Sequence, residues 1–99
     1  MWDEDTRGRD WITAVSVSPP EELDRLSKSS DPAVRWAVAG NTYTPTATLI
    51  YLASDAVDSV VEQVKINRSA PPAVKLWLKS DYRNTMTLED FLEAIDSGT

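Results

Sequence analysis

The sequence predicts an all-α solenoid of about three and a half two-helix repeats, and three observations carry that prediction. Pro19, Pro45 and Pro71 lie 26 residues apart. Other landmarks keep the same beat: Leu26, Leu52 and Leu78; Ile12, Val38 and Val64; Leu23 and Leu49; Asn41 and Asn67. A period of about 20–50 residues is the signature of stacked repeats, in which no unit can bury its apolar face alone. Within each period, apolar residues recur at i, i+3 and i+4, which places them on one face of a helix.

The elements follow in chain order within a single domain, residues 1–99. Residues 1–8 read as an acidic extension, with Trp2, Trp11, Ile12 and Val15 closing that end of the core. The first unit spans 9–30. Its second helix opens on Ser18-Pro19-Pro20-Glu21, a serine cap with glutamate three positions on, and buries Leu23 and Leu26. The second unit, 31–56, starts with Asp31 as N-cap and Pro32 in the first turn, where its missing N–H costs nothing. Val34, Ala37 and Val38 share its buried face, and Gly40 ends the helix. Thr44-Pro45 starts the next helix, which buries Leu49, Leu52 and Ala53.

The third unit, 57–81, departs from the pattern. Its first helix, near Asp58 to Ile66, buries Val60, Val61 and Val64. Its second, near Pro72 to Lys79, has Lys75 in place of leucine and Ala70 in place of the cap. Residues 82–99 provide a capping helix: Thr87 caps a run carrying Leu88, Phe91, Leu92 and Ile95, ended by Gly98. End units must be atypical because each turns one side to water.

The run Asp31-Pro32-x-Val34-Arg35-x-x-Val38-Ala39-x-Asn41-x-x-Thr44-Pro45-x-x-x-Leu49-x-x-Leu52-Ala53-x-Asp55 closely resembles the leucine-rich repeat variant family. Asn67 and Pro71 carry the likeness into the third unit, and Pro19, Leu23 and Leu26 into the first, so it covers most of residues 9–80. The resemblance implies helical pairs stacked into a right-handed superhelix in a HEAT-like manner, with no β-sheet. The family's unit is slightly shorter, and Ala56 to Ser59 reads as an insertion. Some relatives carry a cysteine-ligated iron–sulfur cluster, which a chain without cysteine cannot hold. Such repeats are scaffolds, so the resemblance speaks to fold and not to function. It leaves Asn41 and Asn67 as bonds between layers, in keeping with the turn chemistry of asparagine.

Composition narrows the function classes. With 41% hydrophobic and 26% charged residues, the chain is an ordinary folded protein. No apolar run approaches the roughly 20 residues that cross a bilayer. The acidic start, Met-Trp-Asp-Glu-Asp, is unlike a signal peptide, so a cytoplasmic location is expected. The absence of cysteine and histidine removes the usual nucleophile–base pairs and metal ligands, and no glycine-rich phosphate loop exists. Neither an enzyme nor a cofactor is expected. The net charge of −6 is uneven: residues 1–24 hold seven acids against Arg7 and Arg9, whereas residues 63–83 hold five bases against Asp81 alone. An overall pI near 4.4 opposes nucleic-acid binding.

Function should then sit on residues the repeat does not need. Trp36 points away from Val34 and Val38, where the equivalent positions are Asp10 and Glu62. On the second helices, Arg25, Tyr51 and Trp77 are equivalent and read as one outward ridge, the residue set most enriched in binding hot spots. The expectation is a small protein-binding module, adaptor or inhibitor, that docks a protein partner through Arg25, Tyr51, Trp77 and Trp36. Lys75 and Lys79 would steer it to an acidic surface. A phage or mobile-element gene would suit such a role. Two alternatives stand beside it: a homodimeric structural protein that buries the ridge, and an acidic DNA mimic that blocks a DNA-binding protein.

Overall fold

The computed structural model describes the backbone of residues 4–96 and the side chains from Asp10 onward. Its helices are α1 (Glu4–Val15), α2 (Pro20–Leu26), α3 (Pro32–Gly40), α4 (Thr46–Leu52), α5 (Asp58–Ile66), α6 (Pro72–Lys79) and α7 (Leu88–Asp96), with a 3₁₀ turn at Asp81–Asn84. No strand occurs among the described residues. The sequence period survives as geometry: α2, α4 and α6 start 26 residues apart, and so do α3 and α5. Within this chain's own period residues 56–59 add nothing, since Asp58 and Ser59 form the first turn of α5 as Pro32 and Ala33 form that of α3. Trp2 and Gly98 lie outside the described residues, and Glu4 to Gly8 belong to α1 instead of an extension.

Local chemistry sets the helix starts. Asp31 accepts a hydrogen bond from the Ala33 N–H at 2.9 Å, and Thr87 Oγ1 accepts from the Asp90 N–H at 3.1 Å, so both cap as expected. Ser18 and Thr44 do not. The residue before each second helix is the proline itself, in an extended conformation with no side-chain cap. The hydroxyls point backward: Thr44 Oγ1 donates to the Val38 carbonyl at 2.7 Å, and Ser18 Oγ donates to the Thr13 carbonyl at 2.8 Å. Each adds a second donor to a carbonyl in the last turn of the preceding first helix, which also accepts a main-chain N–H, from Asn41 at Val38 and from Ser16 at Thr13.

The first helices α1, α3 and α5 lie side by side, and each second helix packs against its own first helix and the one that follows. Leu23, Leu26, Val34, Val38, Leu49, Leu52, Val60, Val64 and Val74 fill the space between the layers and are essentially sealed from solvent. Each contributes roughly 1.5–3 kcal/mol of burial, without which helices of 7–12 residues would not persist. The product is an elongated body of 50 × 23 × 18 Å. Among the described residues, no helix is long and apolar enough to cross a membrane.

Asparagines tie the layers together. Asn41 Nδ2 donates to the carbonyls of Ala14 (2.9 Å) and Ser16 (2.7 Å), while its Oδ1 accepts from the Tyr43 N–H. Asn67 repeats the pattern one unit later, on Ala39 (2.7 Å) and Asn41 (3.1 Å), with Ser69 N–H as the third partner. A second tie joins Arg35 to Asp55: Nε–Oδ2 is 2.8 Å and Nη2–Oδ1 is 3.3 Å, and Arg35 Nη1 also donates to the Ser29 carbonyl at 2.8 Å. Asp55 Oδ1 further accepts from the Val57 N–H, which fixes the entry to α5.

The N-terminal end differs from expectation. Ala14 is buried, but Ile12 and Val15 are exposed, and Trp11 is 38% exposed instead of closing the core. The cause is positional. α3 and α5 each pack against two second helices, whereas among the described residues α1 packs against α2 and against α3.

Candidate functional site

The six residues singled out by sequence do not form one surface. Trp36 lies on the outer side of α3, 38% exposed, and its ring stacks parallel on Trp11 with centroids 6.0 Å apart and planes 5° apart. It is locally packed by a neighbouring aromatic and remains accessible.

The outward ridge of Arg25, Tyr51 and Trp77 breaks at its last member. Trp77 is only 4% exposed, and its Nε1–H donates to the Met86 carbonyl at 3.2 Å. Periodicity places Trp77 as it places Tyr51, but periodicity knows nothing of the segment that follows. Residues 81–87 and α7 fold back across this side of α6, burying Leu88 and Phe91. Tyr82, itself exposed, lies against the buried Phe91, with ring centroids 5.7 Å apart. Trp77 is a core residue and not a contact for a partner.

Arg25 and Tyr51 do face solvent. Arg25 forms a close pair with Glu22 (Nη2–Oε2 2.7 Å) and a longer one with Asp10 (3.9 Å). The Glu22 hydrogen bond raises the already high pKa of the guanidinium. Tyr51 is 52% exposed and carries a cation that the sequence reading missed: Lys28 Nζ lies 5.2 Å from the ring centroid. Lys28 also pairs with Asp24 Oδ2 at 3.1 Å, while Thr48 Oγ1 donates to Asp24 Oδ1 at 3.0 Å. These two donors, Lys28 first, hold the Asp24 carboxyl below the usual carboxylate value. Lys28 lies 26 residues before Ser54, so the repeat register itself could have pointed to it.

Two open grooves meet at Tyr51. One, of about 370 Å³, is lined by Lys28, Arg35, Tyr51, Ser54, Asp55 and Ala56. The other, of about 450 Å³, is lined by Ala47, Ile50, Tyr51 and Ser54 on one side and by Thr87, Leu88 and Glu89 on the other. Together they run from the end of α2, over Tyr51, to the start of α7.

Lys75 and Lys79 lie elsewhere. Their equivalents in the second unit, Leu49 and Ala53, are fully buried on the side of α4 that meets α5. That side is about 200° around the helix from Tyr51. On α6 the same side is half-buried at Lys75 and exposed at Lys79, so the two lysines mark the edge of the stack and not the tyrosine face. Among the described residues, no cluster of three or more acidic, histidine or cysteine side chains is placed to hold a metal ion.

No family model, curated protein or solved structure matches this chain.

Proposed function

We propose that this chain is a small protein-binding module, an adaptor or inhibitor, that docks a partner protein on the face centred on Tyr51. The observation that carries the reading is the half-exposed Tyr51 ring at the junction of two grooves, with the Lys28 cation over it. An amphipathic ring beside a basic group is a typical hot-spot pairing, since it offers apolar area, a hydroxyl and charge at little conformational cost. The helices beneath are held by buried leucines and layer-spanning hydrogen bonds, so the surface is presented by a rigid scaffold. Trp36 with Trp11, and the Lys75–Lys79 edge, are secondary contact areas on other sides of the body.

The test is affinity capture from cells that contain the protein, comparing wild type with Arg25→Ala/Tyr51→Ala. Both side chains are exposed, so the variant keeps its fold. A partner retained by wild type and lost by the variant supports the reading; equal capture by both refutes it. Sedimentation of the purified chain provides the second arm. A dimer that dissociates on Tyr51→Ala substitution would replace the partner-protein reading with a homodimeric one.

A further inference from the structure

Tyr51 and Trp77 hold the same place in successive units, and their surroundings differ in one respect. Trp77 faces Ser54 of the preceding unit, and Tyr51 faces Lys28, which is Ser54's equivalent. Over Trp77 the chain lays its own residues 81–91: the Met86 carbonyl takes the indole N–H, and Leu88 and Phe91 are buried. Among the described residues the Tyr51 ring is left half exposed, and Thr87, Leu88 and Glu89, at the start of α7, form the far wall of its open groove. The molecule therefore shows, one unit along, what kind of segment fits such a groove.

We infer that the groove over Tyr51 receives an acidic amphipathic helix of a partner protein, built like the chain's own lid. This rests on the reading of the Tyr51 face as a docking surface. The lid's chemistry defines the ligand: a turn that presents a backbone carbonyl, then leucine and an aromatic residue at i and i+3, with acids between them. In the lid these are Met86, Leu88 and Phe91, with Glu89 and Asp90 between. Tyr51 holds the position in its unit that Trp77 holds in the next, and its hydroxyl can donate to a carbonyl as the indole N–H does. Ile50 and Ala47 supply apolar wall. Charge sets the two grooves apart. Beside the covered Trp77 stands Ser54, and beside the open Tyr51 stands Lys28, with Arg25 three residues before it on α2. Their present partners, Asp24 and Glu22, are side chains about half exposed, and such pairs exchange at little cost. An acidic helix can take over those cations, as helix-in-groove recognition commonly does.

The probe is a synthetic peptide with the sequence of residues 84–96, fluorescein-labelled at its N-terminus, titrated with the full chain and read by anisotropy. Saturable binding is expected. It should weaken at least about tenfold with Tyr51→Ala in the protein, and comparably with Leu88→Ala/Phe91→Ala in the peptide. Lys28→Glu should weaken it as well, and added salt should reduce the wild-type affinity more than that of Lys28→Glu. Absence of saturable binding overturns the inference. So does binding that is indifferent to Tyr51→Ala, because the peptide would then be displacing the lid from Trp77. Circular dichroism melts of each variant establish that the scaffold is intact. If the peptide fails while Tyr51-dependent capture of a partner persists, the docking face stands and only the ligand class falls.

Discussion

Asn67 hangs from Asn41: its Nδ2 donates to the Asn41 main-chain carbonyl at 3.1 Å, and the Asn41 side chain in turn holds Ser16 at 2.7 Å. The two asparagines form a chain of hydrogen bonds that crosses all three units, and both are buried. Each side chain bonds two carbonyls at the end of the preceding unit's first helix and one N–H of its own turn, and the Asn41 carbonyl accepts from the Thr44 N–H as well. Asn67→Ala should destabilise the fold by about 2–3 kcal/mol, because these groups lose partners without gaining water. Asn67→Asp should cost at least as much, since it keeps the acceptor but sets a carboxylate against two carbonyl oxygens. Urea denaturation of the three proteins checks the order.

The Asn ladder was legible in the sequence, and the reason is instructive. A residue that bonds to its own equivalent must recur at the repeat period, so Asn41 and Asn67 advertise their role. The helix boundaries and the buried leucines were legible for the same cause. What was not legible is whatever the repeat does not generate. Trp77 was misplaced because its burial depends on residues 81–91, which follow no period. The caps assigned to Ser18 and Thr44 failed because a hydroxyl before proline can turn either way, and here it serves the helix behind it. Trp11 and Ile12 were misread because equivalence in sequence does not supply α1 with a second helix on its outer flank.

Arg35 and Asp55 form a two-pronged pair that is largely screened from solvent, with side chains 16% and 7% exposed. Arg35→Ala should destabilise by about 2–4 kcal/mol, since it leaves the Asp55 charge half-paired and the Ser29 carbonyl without its donor. Arg35→Lys should recover little, because an ammonium cannot present two parallel N–H groups. A double-mutant cycle with Asp55→Ala should return a coupling of about 1–3 kcal/mol. Additive single effects would show that the pair merely accompanies the turn it spans.

Tyr51 and Trp77 offer a direct contrast at equivalent sites. Trp77→Ala empties a sealed position beneath the lid and should cost about 3–5 kcal/mol, with loss of α7 packing. Tyr51→Ala should change stability by no more than about 1 kcal/mol, since half the ring already faces water. Thermal melts followed by circular dichroism separate the two. Similar losses would contradict the assignment of one residue to the core and the other to the surface.

Asp24 gives the acid limb of stability a specific origin. Lys28 first, and then Thr48, hold its carboxyl below the usual value, so the folded state binds a proton there less readily than the unfolded chain does. A depressed folded-state pKa contributes stability that is fully present above the unfolded value, about 3.9, and is lost as pH falls through the folded one. Stability should therefore decline below roughly pH 4 with a contribution from this carboxyl. Lys28→Met should move the Asp24 titration upward more than Thr48→Val does, because the ammonium supplies both a hydrogen bond and a charge. Side-chain carboxyl NMR across the acid range reads each shift directly. Since Lys28 also lies over Tyr51, the same substitution should alter the tyrosine ring signals at neutral pH, and Thr48→Val should leave them in place.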